Sequence, residues 1–111
     1  MNKDESRVAI LCTKLCEGGA ERFAVNLSNS LSKDSRYKVF LITGSKRDKE
    51  YHVSENVDRI VLISMNKNLL TDALAVKKFC RNKLIHVLVA INIYPNFVAC
   101  LANIGLRTKI V

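Results

Sequence analysis

The chain has 111 residues with 18 Lys and Arg against 10 Asp and Glu, a formal net charge of +8, and it is 49% hydrophobic and 25% charged. That length allows one domain at most, and the balance of apolar and charged residues excludes a disordered or fibrous class. The basic excess attracts phosphorylated ligands, nucleic acid or anionic lipid surfaces, and charge alone does not choose among them.

The apolar runs Val8 to Cys12 and Val87 to Ile91 fall far short of the roughly 20 residues needed to span a bilayer. Met1 to Ser6 are polar and mixed in charge, without the apolar core of a secretory signal, so a cytoplasmic location is expected. Cys12, Cys16, Cys80 and Cys100 form no Cys-x-x-Cys pair and read as structural thiols. His52 and His86 have no partners at metal-ligand spacing, so no metal site is predicted.

Arg7 to Thr13 is a short continuous apolar run, as expected of a strand buried on both faces. From Gly19 to Lys33 the residues Ala20, Phe23, Ala24, Leu27 and Leu31 recur at helical spacing, predicting a buried stripe opposite a polar face of Glu21, Asn26, Ser30 and Lys33. Tyr37 to Thr43 predicts a second strand, stopped by Gly44 and a polar loop from Ser45 to Glu50. Val57 to Ile63 predicts a third strand, followed by a helix with Leu69, Ala73, Val76, Cys80 and Leu84 on one stripe. Lys77, Lys78, Arg81 and Lys83 form the densest basic cluster and fit the solvated face of that helix. Ile85 to Ile91 predicts a fourth strand, Pro95 to Ile104 a third helix with Gly105 just past its end, and Arg107 to Val111 a fifth strand. His86, opening the fourth strand, reads as a packed or capped residue, and His52 as an exposed loop residue.

Strands alternating with helices call for a parallel α/β sheet with helices on both faces, and right-handed crossovers give the order 3-2-1-4-5. Ligands of such sheets bind beyond the carboxyl ends of the strands where the order reverses. Here that is between the first and fourth strands, at Thr13 to Arg22 and Asn92 to Asn96.

The segment from Lys14 to Arg22 joins the first strand to the first helix. Gly18 and Gly19 would leave backbone N–H groups open at a helix N-terminus, and Arg22 adds a positive charge one turn on, which suits a phosphate. A tight strand-to-helix turn with Glu21 and Arg22 in solvent explains the same residues. The spacing matches neither Gly-x-Gly-x-x-Gly nor the phosphate-loop pattern, which disfavours a dinucleotide oxidoreductase and a P-loop nucleotidase.

The block Gly18-Gly19-Ala20-Glu21-Arg22, the helix Phe23 to Leu31 and the strand Val39 to Gly44 together resemble family 4 of the glycosyltransferases. Val87 to Gly105, with Tyr94, Pro95 and Asn96 at a strand-to-helix turn, resembles a later part of the same family. The resemblance implies a GT-B enzyme of two Rossmann-like domains facing a cleft, of which this chain is an incomplete N-terminal, acceptor-side domain. It places Gly18, Gly19, Glu21 and Arg22 near the phosphates and sugar of a nucleotide-sugar donor. Asn92, Tyr94 and Asn96 are possible contacts to a glycan or lipid-linked acceptor, although a helix-initiating turn accounts for them as well. It implies no metal and no cofactor, places the donor-binding basic residues in the other domain, and gives no catalytic residue in this chain. Peripheral contact with the inner face of a membrane fits such an acceptor.

The rival reading is a stand-alone, non-catalytic module that binds a phosphate, a nucleotide or a partner surface. Nucleic-acid binding is disfavoured, since no interleaved aromatics, helix-turn-helix or RNA-binding pattern is present.

Overall fold

The computed structural model describes residues 6–13, 18–44, 50–62, 68–104 and 108–111. The elements run in the order β1 (Ser6–Leu11), α1 (Gly19–Ser32), β2 (Tyr37–Thr43), β3 (Val57–Val61), α2 (Leu69–Lys83), β4 (Val87–Ala90), α3 (Ile93–Ala102) and β5 (Lys109–Ile110). All strands pair in parallel in the order β3-β2-β1-β4-β5, the predicted topology.

The alternation of side chains along each strand sorts the core into two layers. Val8, Ile10 and Cys12 of the β1 segment, with Val39 and Leu41 of β2, pack with Ala24 and Val25 of α1. Ala9, Leu11, Phe40, Ile42 and Leu88 face the other way, against Ala73, Val76 and Cys80 of α2 and Val98, Ala99 and Ala102 of α3. Helices therefore cover both faces, and α2 lies beside α3.

The buried face of α1 is rotated from the predicted stripe. Glu21, Ala24, Val25 and Ser28 are buried, whereas Phe23 is 57% exposed. Small side chains at the contact let the helix approach the sheet closely, which leaves no room there for a phenyl ring. The two buried polar groups are satisfied: the Ser28 hydroxyl donates to the Ala24 carbonyl at 2.8 Å, and Glu21 accepts from Asn92. Glu21 thus leaves the polar face on which the sequence places it.

Asn68 caps α2, its Oδ1 accepting from the Thr71 N–H at 3.0 Å. Leu84, expected to continue the apolar stripe, instead terminates the helix in a left-handed conformation (φ 54°, ψ 52°) and is 66% exposed. That turn sends Ile85 into the core in its place. Helix α3 starts at Ile93 rather than Pro95 and ends at Ala102 rather than Ile104. Pro95 is still within the first turn, where the missing N–H costs no helical bond.

Strands β3, β4 and β5 are shorter than the apolar runs that predict them because the chain leaves the ladder early. Each stops where its pairing register stops, β4 against Val8 to Leu11 and β5 after only two residues. The predicted loop residues 45–49, the end of the third apolar run at Ile63, and Gly105 and Arg107 lie outside the described residues. His86, read as packed or capped, is exposed, and its Nδ1 accepts from the Arg7 N–H at 2.9 Å at the amino end of the sheet.

Candidate functional site at the strand-order reversal

The carboxyl ends of β1 and β4 meet where the strand order reverses, and the chain leaves them as the N-termini of α1 and α3. Residues 14–17 of the first connection lie outside the described residues, and the description resumes at Gly18. Gly18 has an extended backbone (φ 178°) that any residue can adopt. Its reason for being glycine is steric: a Cβ there would overlap the Glu21 carboxylate, with Glu21 Oε2 as the nearest atom and Cδ at 3.0 Å. Gly19, by contrast, is exposed and has open space where a side chain would stand. The two adjacent glycines do different things.

Tyr51 completes this corner. Its hydroxyl accepts from the Gly18 N–H at 3.3 Å and lies 3.4 Å from the Gly18 carbonyl, to which it donates. The Arg22 guanidinium sits 5.1 Å from the centre of the Tyr51 ring, a cation–π arrangement that keeps its charge near the helix N-terminus. The segment carrying Tyr51 is itself pinned to α1, since Asn29 donates to the His52 carbonyl at 3.0 Å and accepts from the Ser54 N–H at 2.8 Å.

Across the reversal, Asn92 donates from Nδ2 to Glu21 Oε1 at 2.8 Å. Asn92 has φ 79° and ψ 171°, a region that only glycine occupies without strain. The Asn92 carbonyl accepts from both the Asn96 backbone N–H at 3.2 Å and the Asn96 side chain at 2.8 Å. The side chain of Asn92 is thus tied to α1 while its carbonyl is tied to α3.

Tyr94 goes elsewhere. Its hydroxyl donates to Oδ2 of the buried Asp72 at the start of α2, and its ring packs with the α2–α3 layer. Partial burial, and then the hydrogen bond to the Asp72 carboxylate, push its phenol up to about 12. The structure therefore joins Gly18, Glu21, Arg22 and Asn92 with Gly19 beside them, seats Asn96 behind Asn92, and turns Tyr94 to the opposite layer.

One contributor carries a weak signal in sequence. Tyr51 lies in a polar stretch and reaches the site only because Asn29 holds its segment. Away from the reversal, Arg59 on the edge strand β3 pairs with Glu50 at 2.5 and 2.9 Å and donates to Oγ1 of Thr43, the last residue of β2, at 3.2 and 3.3 Å. These two charges are mostly buried, with side chains 15% and 13% exposed.

The arrangement offers the exposed Gly19 in the first turn of α1 with an adjacent guanidinium, a combination that attracts an anion, beside a carboxylate and an amide that suit hydroxyl groups. Among the described residues no cluster of three or more His, Cys, Asp or Glu could hold a metal ion.

The fold is shared with a glycosyltransferase. The crystal structure of a glycosyltransferase from Rickettsia africae ESF-5 matches with a TM-score of 0.72 at 15% sequence identity, covering 96% of this chain and 29% of that chain. This chain therefore spans less than a third of that glycosyltransferase's length, and at such low identity the likeness is one of fold. No family model matches the sequence, and no curated protein matches it.

Proposed function

We propose that this chain is the acceptor-side, Rossmann-like part of a two-domain GT-B glycosyltransferase of family 4, with the reversal between β1 and β4 forming its share of the cleft. One observation carries the reading: on a sheet shared with a glycosyltransferase, Gly19, Arg22, Glu21 and Asn92 converge at the position where such sheets bind ligands. Gly19 and Arg22 would face the phosphates of a nucleotide-sugar donor. Asn92 and Glu21 would face hydroxyl groups of the sugar or of a glycan or lipid-linked acceptor. Tyr94 contributes to the acceptor side only through the position of α3.

A cleft of this kind stabilises the leaving diphosphate by fixed dipoles and basic side chains, and this chain would supply one helix N-terminus and one guanidinium. Transfer would need the donor-binding domain, so the chain alone binds without catalysing.

Amide chemical-shift mapping with UDP- and GDP-sugars tests this. Perturbations confined to residues 18–22 and 92–96, lost in Gly19→Val, are the expected result. The open space at Gly19 lets valine cover the amides without displacing a neighbour. Unchanged spectra of the folded protein at millimolar ligand would refute the reading. Equal perturbation by inorganic phosphate and by nucleotide sugar would favour a stand-alone phosphate-binding module instead.

A further inference from the structure

Arg22 is an exposed cation, yet among the described residues no carboxylate lies within ion-pair distance of it. An aromatic ring holds it instead: its guanidinium carbon Cζ lies over Tyr51, 5.1 Å from the ring centre. The backbone of Arg22 meets the same tyrosine. Its N–H donates to the Gly18 carbonyl at 3.1 Å, and that carbonyl also accepts from the Tyr51 hydroxyl at 3.4 Å. Tyr51 therefore brackets the arginine, with its ring against the side chain and its hydroxyl on the peptide that opens the helix.

The position of Tyr51 is fixed from both sides. After it in the chain, Asn29 of α1 grips the His52 carbonyl and the Ser54 N–H at 3.0 and 2.8 Å. Before it, Glu50 is locked to Arg59 of β3 at 2.5 and 2.9 Å. The stretch from Glu50 to Ser54 is thus a strap fastened to α1 and to β3, and Tyr51 is the side chain it delivers to the corner. The buried pair of Arg59 and Glu50 acquires a purpose at a distance from itself.

An arginine held by a carboxylate has its charge neutralised and its donor fork occupied. One held by a ring keeps both for another partner, and a guanidinium already in place gives up less side-chain freedom when an anion arrives. Taking the reversal as the phosphate side of a donor site, as proposed above, we infer that Tyr51 is a positioning residue of that site. It keeps the unneutralised Arg22 beside Gly19 for the phosphates of a nucleoside diphosphate, and it does so through its ring, without touching the ligand.

The test is a double-mutant cycle between Tyr51→Leu and Arg22→Gln in the 111-residue chain, read by amide titration with UDP and with GDP. Tyr51→Leu should weaken binding about two- to tenfold, the cost of ordering one long side chain at the moment of binding. In the Arg22→Gln background the same change should cost less than about twofold, because the side chain that Tyr51 positions is gone. Tyr51→Phe keeps the ring on a segment that is still pinned and should bind within about twofold of wild type. The Arg22 Nε–Hε resonance gives a readout without ligand. The Tyr51 ring should displace it in wild type and in Tyr51→Phe, and in Tyr51→Leu it should return to the position of a solvated arginine. Arg22 is exposed and leucine suits the apolar cluster that Tyr51 borders, and amide spectra check that each variant is folded.

Three results overturn the positioning role while leaving the donor-site reading intact, provided that wild type binds. They are an Arg22 resonance unmoved by Tyr51→Leu, an equal loss from Tyr51→Leu with and without Arg22, and a Tyr51→Phe variant that binds as weakly as Tyr51→Leu. Failure of the folded wild type to bind either diphosphate overturns the donor-site reading and the role of Tyr51 with it.

Discussion

Replacing Gly18 by alanine should destabilise the protein, whereas the same change at Gly19 should not. The backbone at Gly18 is extended, so alanine meets no conformational penalty there. The added methyl overlaps the Glu21 carboxylate, which is tied to Asn92 at 2.8 Å in a residue only 7% exposed. Glu21 must swing away and give up a hydrogen bond to a charged group, worth about 1.5–3 kcal/mol when both partners are fixed. The side chain can rotate toward water, so the lower end applies, and a further few tenths come from alanine being a poorer N-cap than glycine. The reduced freedom of the unfolded chain returns about 0.5 kcal/mol, leaving a net cost of about 1.5 kcal/mol. Gly19→Ala meets nothing within 4 Å and should be neutral or stabilising by about 0.5 kcal/mol. Urea unfolding reads this directly: with a slope of about 1–2 kcal/mol per molar, the two midpoints should differ by roughly 1–2 M. In a Glu21→Ala background the collision is gone, and the cost of Gly18→Ala should shrink to about zero, since the N-cap loss of a few tenths and the unfolded-chain gain of about 0.5 kcal/mol nearly cancel. Equal midpoints for the two glycine variants, or an undiminished cost in that background, would refute the steric argument.

The alkaline limb of stability should reflect two groups. Tyr94 is pushed up to about 12 and the buried Cys80 thiol, by burial, to about 11. Both folded values are raised, so their contributions are complete below the unfolded values of 10.0 and 9.0 and are lost as pH rises through the folded ones. Of the three tyrosines, one should ionise late in a titration followed at the phenolate absorbance, and Tyr94→Phe should remove that phase. Asn92→Ala should cost about 1.5–3 kcal/mol by urea unfolding, because it leaves Glu21 without this partner while the backbone strain is common to both residues. With Cys16 changed to serine, a thiol reagent should label Cys100 rapidly and reach Cys12 and Cys80 only on unfolding, because Cys100 alone of these three is exposed. Arg59→Met should destabilise by about 2–3 kcal/mol, since it leaves the mostly buried Glu50 without its guanidinium partner.

The sheet was legible because its information is local. Continuous apolar runs marked the central strands, helical spacing marked the helices between them, and handedness left one order for the strands. The candidate site was located from that order alone, without any reference to side chains. What the residues do there was less accessible, because it depends on how closely α1 approaches the sheet. Counting apolar positions put Phe23 inward and Glu21 outward, whereas a contact through Ala24, Val25 and Ser28 reverses both. One clue was available: Glu21 stands three residues after Gly18, the spacing at which an acidic side chain returns to its own helix N-terminus. Nothing local announced the Asn92 partner, 71 residues away, or the attachment of Tyr94 to Asp72 in the opposite layer. Leu84 matched the apolar period yet lies outside the core, because the left-handed turn that ends α2 is a demand of the connection to β4.

The hydrogen bond between Glu21 and Asn92 closes a ring. One arc runs from β1 through the first connection into α1, the other from β4 to Asn92, and the ladder between Val8 to Leu11 and Val87 to Ala90 joins them at the base. Two connections that would otherwise open separately are thereby made to open together. Amide exchange at the start of α1 and at the start of α3 should share one opening free energy, and Glu21→Ala, which removes the acceptor, should split it into two. A molecule that engages either connection then changes the exchange of both, so occupancy at one side of the sheet reversal is read out at the other without any displacement of the strands between them.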